Sequence, residues 1–137
     1  MESSNVGSLL PADTASAAIL VVDDDEFIRE ALCEALEVEG YRVTVAGNGA
    51  EALAKLGADL PNVILLDLMM PVMNGWQFRE RQLADPRLSP IPVIVLSAHG
   101  HGAQAAAVLS SAAFLAKPFS LDHLLEAVET AVGCSSP

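Results

Sequence analysis

The sequence predicts an α/β fold, with five parallel strands in one doubly wound sheet and helices on both faces. Short β-branched or leucine-rich runs alternate with helical patterns from Ala18 to Val132, which is the signature of repeated βα units. The runs Ala18-Ile19-Leu20-Val21-Val22 and Val63-Ile64-Leu65-Leu66 read as buried strands, and each runs out into carboxylates, Asp23-Asp24 and Asp67. In open α/β sheets functional groups gather beyond the carboxyl ends of the strands, so both aspartate groups fall where a site is expected.

Residues 1–17 are small and polar, with Ser3, Ser4, Ser8, Pro11 and Ser16 and little periodicity, and read as a flexible extension. A strand is expected over 18–22 and a helix over 26–39, where Ile28, Leu32, Ala35 and Leu36 form one apolar stripe and Arg29, Glu30, Glu34 and Glu37 lie off it. Gly40 ends that helix as a C-terminal cap. A strand over 41–46, a helix over 49–56 and a strand over 62–66 follow. Asn74-Gly75 and Asp85-Pro86 are turn signals that bracket a helix over 75–84. The remaining elements are a strand over 91–96, an alanine-rich helix near 103–111, a strand over 113–116 and a helix over 121–132 with Ser120 as its N-cap. One domain over 18–133 and a short tail at 134–137 complete the expected organisation.

A chain of 137 residues with 52% hydrophobic content suits a single domain with a core of ordinary size. Seven Lys and Arg against eighteen Asp and Glu give a net charge of -11, a field that repels nucleic acid and anionic membrane, so neither is an expected partner. No apolar stretch approaches the length of a membrane span, and Met1-Glu2-Ser3-Ser4-Asn5 lacks the basic and apolar regions of a signal peptide. Cys33 and Cys134 show no disulfide or zinc spacing, and a reducing, cytoplasmic setting is the expectation.

If the strands ending at Val22 and Leu66 are neighbours, Asp23, Asp24 and Asp67 converge and repel one another unless a cation or proton intervenes. A hard divalent ion such as Mg2+, which favours oxygen ligands, fits that corner. Ser97 closes Val93-Ile94-Val95-Leu96 and Lys117 follows Phe114-Leu115-Ala116, so the sheet brings a hydroxyl and an ammonium to the same edge. Three carboxylates, a hydroxyl and an ammonium around a metal suit phosphoryl transfer, a chemistry of positioning and charge neutralisation. Asp67, at the centre, is the candidate nucleophile, because a carboxylate can form an acyl phosphate. Taken singly, each residue has a plainer reading. Asp23-Asp24-Asp25-Glu26 is then a helix N-terminus, Asp67 a loop carboxylate, Ser97 a turn hydroxyl and Lys117 a solvated charge. Their order at the ends of successive strands, with Pro71, Gly75 and Pro118 as punctuation, is what argues for chemistry.

Val22-Asp23-Asp24, the run from Asp67 through Pro71 to Gly75, Leu96-Ser97-Ala98 and Ala116-Lys117-Pro118-Phe119 resemble the receiver domain of two-component response regulators, from about Ile19 to Val132. The resemblance implies the flavodoxin-like strand order 2-1-3-4-5. It implies that Asp67 accepts a phosphoryl group from a sensor histidine kinase or a histidine phosphotransfer protein. Asp24, Asp67 and the Met69 carbonyl would bind Mg2+ directly and Asp23 through water. Lys117 would pair with the phosphoryl oxygens, Ser97 would hydrogen-bond one of them after transfer, and a cis Lys117–Pro118 peptide belongs to the pattern. By the same resemblance the chain is a signalling module that catalyses only its own Mg2+-dependent phosphorylation and dephosphorylation. It would act on a downstream protein target as a monomer or weak dimer, with no output domain in this chain.

Several positions bear on mechanism. Phe114 holds the family's aromatic switch position and cannot donate a hydrogen bond, so its ring is expected to move inward by packing when Ser97 turns toward the phosphate. The stretch from Ser97 to Lys117 is a residue or two shorter than the family pattern, and Ser110-Ser111-Ala112-Ala113 stands where a glycine normally ends the preceding helix, which weakens the expectation of a dimer through that face. Apolar Met69 offers no hydrogen bond to place a water, so slow self-hydrolysis is expected. His99 and His101 lack the further ligands zinc needs and read as loop residues, His123 as a surface residue, Cys33 as core or subsurface and Trp76 as packing. A competing function is a Mg2+-dependent phosphatase or phosphotransferase with an aspartyl nucleophile. It calls for a second acid two residues after Asp67, where Met69 stands, and for a cap that the chain has no room for. A binding module that has lost phosphorylation is disfavoured by the presence of Asp24, Asp67, Ser97 and Lys117.

Overall fold

The computed structural model describes residues 17–97 and 113–135. In chain order the elements are β1 (Ala18–Val22), α1 (Glu26–Val38), β2 (Arg42–Ala46), α2 (Gly49–Leu56), β3 (Val63–Asp67), α3 (Gly75–Leu83), β4 (Val93–Ser97), β5 (Ala113–Ala116) and α4 (Leu121–Ser135). The strands form one parallel sheet in the order β2-β1-β3-β4-β5. The helix expected near 103–111 and the residues His99 and His101 lie outside the described residues.

Residue alternation along the strands sorts the core into two layers. Leu20, Val22, Ile64, Leu66, Val93 and Val95 face one side, where they pack with Ala52 and Leu56 of α2 and Phe78 of α3. Ile19, Val21, Val63, Leu65, Ile94 and Leu96 face the other, with Leu32 and Leu36 of α1 and Leu124 and Val128 of α4. Both faces of β1, β3 and β4 are therefore covered, which is why these strands are apolar up to the final Asp67 of β3 and Ser97 of β4. At β5 the cover thins, and Ala113, Phe114 and Leu115 are only half-buried at the edge of the sheet.

Right-handed crossovers explain this distribution of helices. From β1 the chain winds outward to β2 over α1, then reverses and passes over α2 to β3 on the far side of β1. Reversal of direction at fixed handedness places α1 and α2 on opposite faces, and the connections leaving β1 and β3 diverge. The crevice between those two strand ends is the topological switch point of the sheet.

Element ends differ from the expected ones by one to three residues, for identifiable reasons. α1 stops at Val38 because Gly40, at φ 97, closes a Schellman turn in which Gly40 N–H donates to Glu37 O at 3.0 Å and Tyr41 N–H to Leu36 O at 3.1 Å. Tyr41 N–H is thereby withdrawn from the ladder, and β2 begins at Arg42 rather than at residue 41. β3 runs one residue further than expected, since Asp67 still lies opposite Leu96. β4 starts at Val93 rather than 91, after Pro92, which has no N–H to donate. α4 continues to Ser135, past the expected end at 132 and through Gly133, whose α-carbon faces open space. A glycine near a helix end costs only about 1 kcal/mol relative to alanine.

α3 carries few apolar residues, and beside the buried Phe78 it is fixed by polar groups. Asn74 and Gln77 form a capping box, with Asn74 Oδ1 accepting from Gln77 N–H at 2.9 Å and Gln77 Oε1 accepting from Asn74 N–H at 3.0 Å. Gln82 is fully buried, accepts from Arg79 Nη1 at 2.7 Å and donates to Leu88 O at 2.9 Å and Ile91 O at 3.0 Å. One amide thus ties the helix to the 84–92 connection. Gln82→Leu keeps the volume and strips partners from two buried carbonyls, so urea unfolding should show a loss of about 3 kcal/mol; a change within 0.5 kcal/mol, roughly that of a surface substitution, would mean the network is dispensable.

Candidate functional site

Strand register delivers the site residues to one line. Val22 lies opposite Leu66, so Asp23 and Asp67 leave adjacent strands side by side. Asp67 lies opposite Leu96 and Ser97 opposite Ala116, so Ser97 and Lys117 follow at the next positions across the sheet. All four therefore stand at the carboxyl edge, with the aspartates at the switch point.

The acidic run after β1 divides between two jobs. Asp25 is the N-cap of α1, its Oδ1 accepting from Phe27 N–H at 2.9 Å and Ile28 N–H at 3.3 Å. Asp23 and Asp24 instead turn toward Asp67, and oxygens of the three carboxylates lie within 4.8 Å of one another. Asp23 is fully buried and Asp67 nearly so, whereas Asp24 is exposed. Lys117 Nζ reaches Asp23 Oδ2 at 3.0 Å and Asp67 Oδ1 at 3.4 Å, from a Lys117–Pro118 peptide that is cis. Met69 N–H donates to Asp67 Oδ1 at 3.4 Å, a weak contact, while the Met69 side chain is exposed.

Three carboxylates around one ammonium leave an excess of negative charge in a partly dry corner. Burial, and then the neighbouring Asp23 charge, push the Asp67 carboxyl up to about 6, against the weaker pull of Lys117 and Met69 N–H. Burial alone would depress Lys117, but the hydrogen bond and charge of Asp23 and the charge of Asp67 outweigh it and raise its pKa. An all-oxygen donor set with uncompensated charge is what a hard divalent cation binds, so these residues fit Mg2+.

The loops behind these side chains are held tightly. Asp23 N–H donates to Ala46 O at 3.1 Å, and Arg29 Nη1 donates to Asp23 O at 2.8 Å. After β3, Gly75 N–H donates to Leu68 O at 3.0 Å, and a Cβ on Gly75 would stand 2.7 Å from Asp67 O, so only glycine fits where α3 starts. Between them Met73 N–H donates to Pro71 O at 2.7 Å around Val72, which is 81% exposed and sits at φ 67, a strained conformation for a β-branched residue.

The profile of the response regulator receiver domain matches residues 19–129. The chain belongs to the response regulator receiver family. It is 40% identical over 112 residues to response regulator MprA of Mycobacterium ulcerans (strain Agy99), a match covering 80% of this chain and 47% of that protein. The receiver domain thus spans about half the length of the relatives it matches. Among solved structures it superposes on the receiver domain of Francisella response regulator 1452 with a TM-score of 0.79 at 31% identity, covering 88% of this chain and 100% of that one. It also superposes on the chemotaxis response regulator CheY4 of Vibrio cholerae with a TM-score of 0.77 at 30% identity, covering 85% and 98%.

The receiver domain brings together Asp23, Asp24, Asp67 and Lys117, and sets the Ser97 backbone at the end of β4; the Ser97 side chain lies outside what is described. The Phe114 ring packs against the core layer of α2 and α3. Cys33 is half-buried with a thiol raised by burial and then by Glu37, His123 is exposed, and Trp76 packs against the core. Sequence reasoning left Arg29 on the polar side of α1 without a role. The signal for it is its place one turn beyond the acidic loop, where a guanidinium can reach back to the freed carbonyl of Asp23.

A raised carboxyl pKa makes the metal-free receiver most favoured, relative to a neutral residue at position 67, at low pH. Asp67 moves from 3.8 unfolded to about 6 folded, so its contribution is fully present below about 3.8 and lost as pH rises through about 6. In EDTA at pH 8, Asp67→Asn should therefore be more stable than wild type by on the order of 2–3 kcal/mol, and the gap should close below pH 4. Denaturant titrations across that range in which the gap is flat or reversed would contradict the assignment.

Proposed function

We propose that this receiver domain accepts a phosphoryl group on an Asp67 carboxylate oxygen, from a histidine kinase or histidine phosphotransfer protein and with Mg2+. The observation that carries this reading is a buried carboxylate, charge-crowded by Asp23 and Asp24, with Lys117 Nζ 3.4 Å away. Asp24, Asp67 and the Met69 carbonyl would hold Mg2+, with Asp23 behind them. The bound ion would neutralise charge on the transferring phosphoryl oxygens.

Transfer forms an Asp67 O–P bond as the donor's P–N bond breaks, and the imidazole leaves with the electron pair. Lys117 holds a phosphoryl oxygen, since the amine that now bridges Asp23 and Asp67 loses part of one partner and gains another. The product carries about -1.5 to -2 charge and three strong acceptors, which gives the Ser97 hydroxyl a new partner. Ser97 turning inward frees space on which Phe114, half-buried and unable to donate, closes by packing. Water later attacks phosphorus, releases inorganic phosphate and restores the carboxylate. Turnover is limited to the domain's own phosphoryl group, so it acts as a signalling module rather than as an enzyme on other substrates.

A protein donor has a place to dock. Ile28, Ala31 and Leu32 of α1 and Pro118 and Phe119 line an apolar groove that ends at Lys117, with Phe27 84% exposed on the same helix. An apolar stripe on a donor helix laid there would carry its phosphohistidine to Asp67. The competing phosphatase reading lacks its general acid, because the residue two after Asp67 is the thioether of Met69.

Incubation with a small acyl phosphate and Mg2+ should add one phosphoryl group by intact mass, mapped to the Asp67 peptide; EDTA or Asp67→Asn should abolish it. An adduct that survives Asp67→Asn, or none in wild type, sinks the reading. The lifetime gives a separate check. Met69→Asn supplies a polar group to place the attacking water and should shorten the phosphoryl half-life several-fold; a longer-lived adduct in the variant would rule that role out.

A further inference from the structure

The loop between β2 and α2 contributes no carboxylate to the acidic corner, yet it touches both loops that do. On one side Ala46 O accepts from Asp23 N–H at 3.1 Å, and Arg29, which holds Asp23 O, brings Nη1 to 3.4 Å from where a Cβ on Gly47 would stand. On the other side Gly49 N–H donates to Met73 O at 3.0 Å. Gly49 is the first residue of α2, where an N–H has no partner within the helix, so this donor is free to bind across to another loop. The loop is itself stiffened, with Gly47 N–H bonded to Glu51 Oε1 at 2.7 Å and Asn48 Oδ1 accepting from Glu51 N–H at 2.9 Å.

The approach at Gly49 is closer than any side chain permits. A Cβ there would lie 2.8 Å from Met73 Cγ, 2.9 Å from Met73 O and 3.0 Å from Met73 Sδ. Any larger residue must push the 68–74 segment away from α2. That segment has no regular structure; its ends are held by Leu68 in the core, Gly75 N–H on Leu68 O and the Asn74–Gln77 capping box, while Met69, Pro71 and Val72 between them are exposed. A push at Met73 meets these fixed ends, and its exposed path runs back through Val72 and Pro71 toward Met69 and Asp67.

We propose that Gly49 is a positioning residue for cation binding, the point through which the β2–α2 loop braces the Asp67–Met73 segment against the Asp23–Asp24 loop. This rests on the reading of the acidic corner as a Mg2+ site. Outer supports of a metal site act on affinity by holding ligands at the right separation, without touching the ion.

Calorimetric titration of the full chain with Mg2+ tests it, with intact-mass phosphorylation by a small acyl phosphate run alongside. Gly49→Ala should weaken Mg2+ binding about tenfold, and slow phosphorylation at limiting Mg2+ more than at saturating Mg2+. Adding Met73→Ala, which removes the Cγ and Sδ contacts but leaves the carbonyl, should recover part of the affinity. Gln82→Leu, which destabilises at a distance, should leave Mg2+ affinity at the wild-type value. Wild-type affinity in a folded Gly49→Ala, or an equal loss in Gln82→Leu, overturns the proposal. Should Gly49→Ala not fold, Asn48→Ala, which loosens the first turn of α2 without touching Met73, decides: a weaker Mg2+ affinity supports the brace and an unchanged one overturns it. A wild type that binds no Mg2+ and takes up no phosphoryl group would instead overturn the functional reading beneath.

Discussion

Two buried carboxylates held against a single ammonium are the constraint from which the rest of this domain follows. Asp23 and Asp67 are almost fully withdrawn from solvent and Lys117 bridges them, yet the charges do not balance once Asp24 is added. Such a cluster persists only if the scaffold is stiff enough to hold like charges together. The scaffold here is the pair β1 and β3, apolar up to Asp67 itself and packed on both faces. Reversal of winding at β1 opens the crevice where both strands deliver their acids. Stability of the sheet and discomfort of the site are thus opposite ends of the same two strands.

Much of this is readable from residue order, and the reason is period. Strands buried on both faces appear as unbroken apolar runs, so β1, β3 and β4 and the polar residues that end them are visible without coordinates. Element ends are less visible, because they depend on which N–H groups are already engaged. Tyr41 leaves β2 for the α1 turn, and Asp67 stays in β3 because Leu96 is opposite. The run Asp23-Asp24-Asp25 is another instance. Three identical side chains differ only in where the backbone points them, so sequence sees a helix start and an acidic corner at once, and both are present.

What sequence does not display is contact between elements remote in the chain. Gln82 sits in a helix whose composition resembles a solvated one, and its burial follows from the path of residues 84–92 beneath it. Gly49 resembles any glycine at a helix start until Met73 is placed against it. Arg29 is one polar residue among several on α1, and only its bond to the Asp23 carbonyl distinguishes it. Such residues have in common that their partners are set by topology rather than by local period.

The sheet is not equally firm across its width. β1 and β3 are sealed by both layers of helices, whereas the residues of β5 are half-buried at the sheet edge. Phe114 and the approach to Lys117 belong to that thin margin, while Asp67 belongs to the sealed centre. Opening free energies in native proteins are lowest where apolar cover is least. The two strands that carry the aspartates are therefore the stiff hub of the domain, and the margin that carries Phe114 is a compliant rim beside it.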